Sequence, residues 1–239
     1  MIVLLLISQV IQLNMIDLNI KIDVKTALFL KNPNSSDLGK RIISGSIYLI
    51  DELGFEKFTF KKLSKKINSP ESSIYRYFEN KHNLLVYLTN WYWSWVEYKI
   101  VLATINVNNI EEKLNKAIDV LTMPVFEDES ISFVNEIILN RIIIEESVKA
   151  FHTKEIDEEN KKGYFSTYKK MVNRVATMVS DVNPDFRYPH MLITTVIEGA
   201  HQQRYFSKHL PRLTNLYEEE DSIVEFYKRL VNSTVKKTH

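Results

Sequence analysis

The sequence predicts an all-α protein, and three observations carry that expectation. From residue 37 onward apolar residues recur at steps of three and four along nearly the whole chain. Glycine and proline are scarce, 5 and 6 in 239 residues, which leaves little material for the turns of an all-β fold. Most of the prolines also fall between the periodic stretches, where they separate helices rather than interrupt them.

Composition sets the outer bounds. Hydrophobic residues make up 45% and charged residues 26%, a balance that suits a globular chain with a small head and a larger body. The absence of cysteine excludes disulfides and thiolate metal sites. The net charge of +1 is uninformative, but its distribution is not. From Asp37 to Lys81 nine Lys and Arg stand against six acids, a net of +3. From Glu127 to Asn160 three stand against ten, a net of −7. A polyanion would therefore meet the N-terminal part.

Residues 1–36 read as a weakly ordered arm, with Asn32-Pro33-Asn34-Ser35-Ser36 as a breaker before the first helix. The apolar run Ile2–Ile7 is too short to span a bilayer. No basic residue precedes it, so it makes a poor signal peptide, and Met15 is the expected start of translation. The expected location is the cytoplasm, at the nucleoid and away from membrane.

The first helix is expected over Asp37–Leu53, stopped by Gly54. Thr59 suits the cap of a second short helix ending near Ile67. Asn68 tolerates the positive φ of a tight turn; Ser69 can cap a third helix and Pro70 open it. This third helix is expected to end near Phe78. Asn80 can cap a fourth and longer one, Lys81 to Ala103, whose stripe is Leu84, Leu88, Trp91, Trp95, Tyr98 and Leu102. Further helices are expected near 110–122, 130–149, 155–181, 189–207 and 217–235, about nine in all, with no strand after residue 36.

The stretch FTFKKLSKKINSPESSIYRYFENKHNLL, from Phe58 to Leu85, carries the chemistry. It reads as two short helices joined by a tight turn and braced by a third, over a small core of Leu63, Ile67, Ile74 and Phe78. That is a helix-turn-helix, whose second helix enters the DNA major groove. The hydroxyls of Ser72 and Ser73 and the phenols of Tyr75 and Tyr77 suit phosphate contacts. Arg76 can reach a guanine edge. Thr59 and Lys81 stand at helix N-termini, where backbone N–H groups favour phosphate. Lys61–Lys66 alone would read as a solvated face; the ordered combination points to DNA.

This stretch resembles the DNA-binding domain of the TetR family of bacterial regulators. The likeness runs from Ile42 through Leu49, Gly54-Phe55 and Thr59 to Ile74–Phe78, then Lys81 and Leu84-Leu85. Its most specific part is Tyr75-Arg76-Tyr77-Phe78-Glu79-Asn80-Lys81, and Asn68, Ser69 and Leu63-Ser64 depart from the usual residues. The resemblance implies phosphate contacts from Thr59, Ser73, Tyr75, Tyr77 and Lys81, and base contacts from Lys61, Glu71 and Arg76. It also implies a head over 37–83 and an effector-binding and dimerisation body over 84–239. In that body the last two helices would pair with their mates in a homodimer on a roughly palindromic operator.

Expectations for the body follow from both sources. Trp91, Tyr92, Trp95 and Tyr98 are candidate linings of a pocket for a small hydrophobic or aromatic ligand, although a stripe at this spacing is more often core. Arg141, with Glu136, Glu145 and Glu146, could place charge at the pocket wall or form ion pairs along one helix. Candidates for the dimer interface are Leu192, Val196, Gly199, Ala200, Gln203, Ile223, Tyr227 and Leu230, and His201–Arg204 could bond across the two-fold axis or face solvent. No His pair has metal-ligand spacing, and no Gly-rich phosphate loop or nucleophile motif occurs, so neither a cofactor nor an enzyme is expected. The expected function is a repressor-like regulator released from its operator by a ligand. The alternative is a DNA-binding dimer without such control.

Overall fold

A computed structural model describes residues 24, 28–126, 133–217 and 220–236. Its described elements are eleven α-helices and two short 3-10 helices, with no strand beyond one isolated bridge between Tyr217 and Glu220. The run Ile2–Ile7 and Met15 lie outside the described residues.

Helix α1 spans Asp37–Leu53, α2 Phe60–Lys66 and α3 Glu71–Tyr75. Ser36 caps α1 by accepting from Gly39 N, and Gly54 ends it at a φ of +76°. Thr59 Oγ1 caps α2 by accepting from Lys62 N at 3.2 Å. Ser69 does not cap α3. The chain enters that helix through Pro70 without a side-chain cap, and α3 ends at Tyr75, three residues before Phe78. Tyr77 N and Phe78 N still bond back to Ile74 O, so the chain turns inward there and places Phe78 in the core.

The 3-10 helix Pro33–Ser35 packs against α1, and Gly39 is what permits it. A Cβ at Gly39 would sit 2.1 Å from the Pro33 carbonyl oxygen. Leu28 is buried, and Leu30 N donates to Tyr77 O at 2.8 Å. The segment 28–36, expected in a loose arm, is thus fastened to the head.

Helix α4, Lys81–Thr104, is the axis of the molecule, capped by Asn80 as expected. Every residue from Leu84 to Trp93 is buried, so it is apolar on all faces and must sit between other elements. Its buried polar groups are satisfied within the helix: Thr89 donates to Leu85 O and Asn90 to Val86 O. Against it pack α5 (Ile110–Thr122), α6 (Glu136–Glu146), α7 (Val148–Phe151) and α9 (Ser166–Val182); α8 (Ile156–Lys161), α10 (Pro189–His209) and α11 (Ser222–Val235) complete the body, with α11 against α5 and α10.

The number of helices exceeds the expected nine because two long stretches are broken. Asn135 caps α6, and α7 is a separate single turn. Gly163, at a φ of +80°, divides α8 from α9. The last helix starts at Ser222 rather than near 217, since Asp221 Oδ1 accepts from Ile223 N and Val224 N.

Candidate functional site

The turn between α2 and α3 closes on backbone geometry. Asn68 takes a φ of +49°. Ser69 N donates to Ser64 O at 3.0 Å and Asn68 N to Lys65 O at 3.3 Å, the paired bonds of a helix ended by a left-handed residue. Asparagine accepts that conformation at low cost, so glycine is not required here. Leu63, Ile67, Ile74 and Phe78 are buried beneath the turn.

The outward face above this core comprises Thr59, Lys61, Ser72, Tyr75 and Arg76, all exposed, with Glu71 and Ser73 half-buried beside them. Tyr75 is 48% exposed; its ring stands edge-on to Phe60 at 5.1 Å, which holds the phenol outward. Arg76 and Lys61 make no side-chain hydrogen bond or ion pair with the described residues and so stay available. Arg41, by contrast, is drawn down to donate to Ile67 O at 2.9 Å and braces the turn.

Tyr77 is a correction. It is 2% exposed, and its hydroxyl lies 2.7 Å from Ser36 Oγ. Both the ring and its polar end are used inside the head, so it is not on the outward face. Lys81 is engaged internally as well, since Nζ donates to the carbonyls of Phe55, Glu56 and Phe58 at 3.1, 3.1 and 3.5 Å. It ties the loop between α1 and α2 to the start of α4. A phosphate would have to take donors away from those carbonyls.

The head is bound to the body by a polar seam that no expectation from the sequence included. Arg141 Nε and Nη2 donate to the two carboxylate oxygens of Asp51, at 2.6 and 2.9 Å. Glu146 Oε1 accepts from Phe55 N at 3.0 Å, while Lys149 pairs with Glu146 and lies 3.7 Å from Glu56. His82 Nε2 lies 2.7 Å from Glu159 Oε1. Arg141 was expected to pair along its own helix or to face a pocket; its bidentate partner lies ninety residues away in α1.

Two of the cavities among the body's described residues bear on the expected pocket. The first, about 250 Å³, sits between α4, α5, α6 and α10. Of the expected pocket residues it brings together Tyr92 and Arg141. Tyr92 donates to Asn140 Oδ1 at 2.7 Å, and burial pushes its phenol above the usual range, so it stays a donor. His201 also lines this space, and burial lowers its imidazole to about 4. The second, about 600 Å³, is lined by Phe151, Ile156, Phe165 and Tyr168, with Glu198 at its edge. Trp91 and Trp95 line neither; they are buried core, as is much of the α4 stripe. Tyr98 is half-buried and also lines neither.

Most of the expected interface residues must be reassigned. Leu192, Val196, Ala200, Ile223 and Tyr227 face the chain's own core. Gly199 does allow a close approach, but to Tyr227 of the same chain, whose hydroxyl would lie 2.2 Å from a Cβ there. Gln203 and Leu230 remain half-buried. Arg204 bonds Thr122 O at 2.6 Å and Asp221 at 2.7 Å, and His201 stacks on Trp93 with ring centres 5.8 Å apart; neither waits for a partner. The outer apolar surface is instead Met191, Leu213, Tyr217 and Phe226, each more than half exposed.

Residues 42–88 match the family model of the bacterial regulatory proteins of the tetR family. The match spans the head and the start of α4. A comparison with curated protein sequences found no match. Among solved structures, a bacterial regulatory protein in the tetR family from Rhodococcus RHA1 aligns at TM-score 0.54 and 11% identity, over 84% of this chain and 96% of the other. AibR, in complex with isovaleryl coenzyme A and operator DNA, aligns at TM-score 0.53 and 14% identity, over 81% and 97%. The superantigen PfiT aligns at TM-score 0.54 and 13% identity, over 85% and 97%. At such identities these likenesses establish the fold: a TetR-type head with a helical body. No helix among the described residues is long and apolar enough to cross a membrane.

Proposed function

We propose that this chain is a regulator of the TetR type: a homodimeric, sequence-specific DNA-binding protein whose affinity for its operator falls when a small molecule fills the body. The observation that carries the DNA reading is the outward face of the turn and α3. Ser72 and Tyr75 project from a helix whose opposite side is pinned by Ile74 in the core, and Arg76 is exposed at its C-cap. Ser72, Ser73, Tyr75 and Thr59 suit phosphate, and Lys61, Glu71 and Arg76 suit base edges. Lys81 would reach phosphate only by exchanging loop carbonyls for it. The division into a head over 37–83 and a body over 84–239 fits this role, with the ties of residues 28–36 added to the head.

Dimerisation is assigned to the exposed faces of α10 and α11 rather than to their buried stripes. Phe226, Tyr217 and Leu213 surround a groove of about 370 Å³ that Gln203 also lines. An exposed apolar surface of this kind is what a second copy would cover. Ligand control is supported by the cavity beside Arg141, since the residue that lines it also grips the head. A ligand acts here only through different affinity for two arrangements of that seam. The bound AibR structure offers a parallel of the same fold with an acyl thioester and DNA.

The test is selection of genomic fragments by the purified chain, then affinity and sedimentation measurements on a recovered duplex. A recurring, roughly two-fold symmetric site bound by two chains is expected, with Phe226→Glu shifting the protein to monomer. Recovery of random fragments at equal affinity would refute sequence-specific reading.

A further inference from the structure

Arg141 belongs to two structures at once. Its guanidinium forms the bidentate pair with Asp51 that joins α6 to α1, and the same residue lines the 250 Å³ cavity. The pair is partly exposed, with 39% of the Arg141 side chain and 26% of the Asp51 side chain accessible, so it is open to exchange. Nε and Nη2 are occupied by Asp51, whereas Nη1 makes no hydrogen bond with the described residues.

The cavity is amphipathic. Leu121, Val125, Ile137 and Ile144 give it apolar walls. Its charged lining is Arg141, Arg204 and Lys208 against Glu145, and burial keeps His201 neutral at pH 7. Arg204 is held by Thr122 O and Asp221, and Lys208 pairs with none of the described residues. With Arg204 matched by Asp221, Arg141 and Lys208 against Glu145 leave one positive charge, which Asp51 balances and which one ligand anion beside a short apolar group can take over in its place. The volume lies just under the range of about 300–1,000 Å³ usual for drug-sized ligands, so the occupant is small.

We propose that the cavity takes a small monocarboxylate whose charged end captures Arg141 from Asp51 and so opens the seam between head and body. This rests on the ligand control proposed above and names its chemistry. Carboxylates compete for one guanidinium on equal geometric terms, because its planar fork can donate to either bidentately. Loss of the Asp51 pair removes one tie beside the loop 54–58, which Glu146, Lys149, Lys81 and Lys62 continue to hold.

The experiment uses the full chain with butanoate, hexanoate and octanoate, each against its neutral amide. Affinity is read by calorimetry and seam opening by amide hydrogen exchange at residues 51–58. At least one acid should bind about tenfold tighter than its amide and speed exchange in that segment. Asp51→Asn removes the competitor, so the acid should bind that variant about threefold tighter, in line with the modest worth of a half-exposed pair. Arg141→Gln should erase the preference for acid over amide. If that variant fails to fold, the Asp51→Asn comparison decides alone. Equal binding of every acid and amide, an acid affinity unchanged in Asp51→Asn, or binding without faster exchange overturns the proposal. A duplex released equally by acids and amides would leave ligand control standing and this exchange refuted. An acid that opens the seam but leaves the duplex bound would establish the exchange and refute control of DNA by it.

Discussion

The head and the body of this chain use their side chains in opposite ways. In the head, a handful of buried residues, Leu63, Ile67, Ile74 and Phe78, orients an outward face that carries Thr59, Lys61, Ser72, Tyr75 and Arg76. In the body, long apolar stripes bury Trp91, Trp95, Val196 and Tyr227 among themselves, and polar groups serve mainly to satisfy one another, as Arg174 does with Glu97 at 2.8 Å. A short turn with few alternatives fixes which residues point out. A bundle of amphipathic helices has many possible neighbours for the same stripe.

The strongest way to break this comparison is to ask whether the head is a separate unit. Phe78 is fully buried and its ring stands edge-on to Tyr87 of α4 at 5.3 Å, so the head core continues into the central helix. Phe78→Ala should cost about 3–5 kcal/mol, and urea unfolding should remain one transition seen alike by helical signal and by the body's tryptophans. An early transition that leaves tryptophan fluorescence unchanged would mean that the head folds alone.

A second probe belongs to the body. Burial lowers His201 to about 4, whereas the unfolded chain takes up that proton near pH 6.5. Between those values the unfolded state binds more protons, so stability falls as pH falls. Replacing His201 with Gln should flatten that acid loss by about 2 kcal/mol between pH 6.5 and 4.5. An identical slope in the variant would remove His201 as the cause.

The smallest effects separate two neighbours that look alike in the sequence. Lys81→Ala should cost about 1–2 kcal/mol of stability by freeing the carbonyls of the 55–58 loop. Tyr77→Phe should cost about 1 kcal/mol through Ser36 and leave DNA affinity unchanged. A large loss of DNA affinity in Tyr77→Phe at unchanged stability would restore that hydroxyl to the interface.

How much of this could be read from the sequence follows the same division. The caps at Thr59 and Asn80, the left-handed Asn68 and the head's four-residue core are local, set by neighbours within a few positions. Ser69 failed as a cap because Pro70 itself takes the position before the helix. Tyr77 was misplaced because α3 ends at Tyr75, which rotates the following residues away from the helical face. In the body the stripe of α10 is real, but whether Val196 faces Tyr227 of its own chain or of another depends on tertiary packing. Arg141–Asp51 joins residues far apart in the chain, and no spacing signals it. Gly163 and the caps Asn135 and Asp221 are local signals too, and they set the breaks within 130–149 and 155–181 and the later start of the last helix.

Function turns on whether the face carrying Arg76 reads base sequence rather than only resting on phosphate. Its direct test is the affinity of Arg76→Ala for a genome-selected duplex and for a scrambled one of equal length, at several salt concentrations. If Arg76 reads a base, the loss is roughly 1–3 kcal/mol on the selected duplex and little on the scrambled one. Equal losses on both, with a salt slope reduced by about one phosphate contact, would contradict base reading.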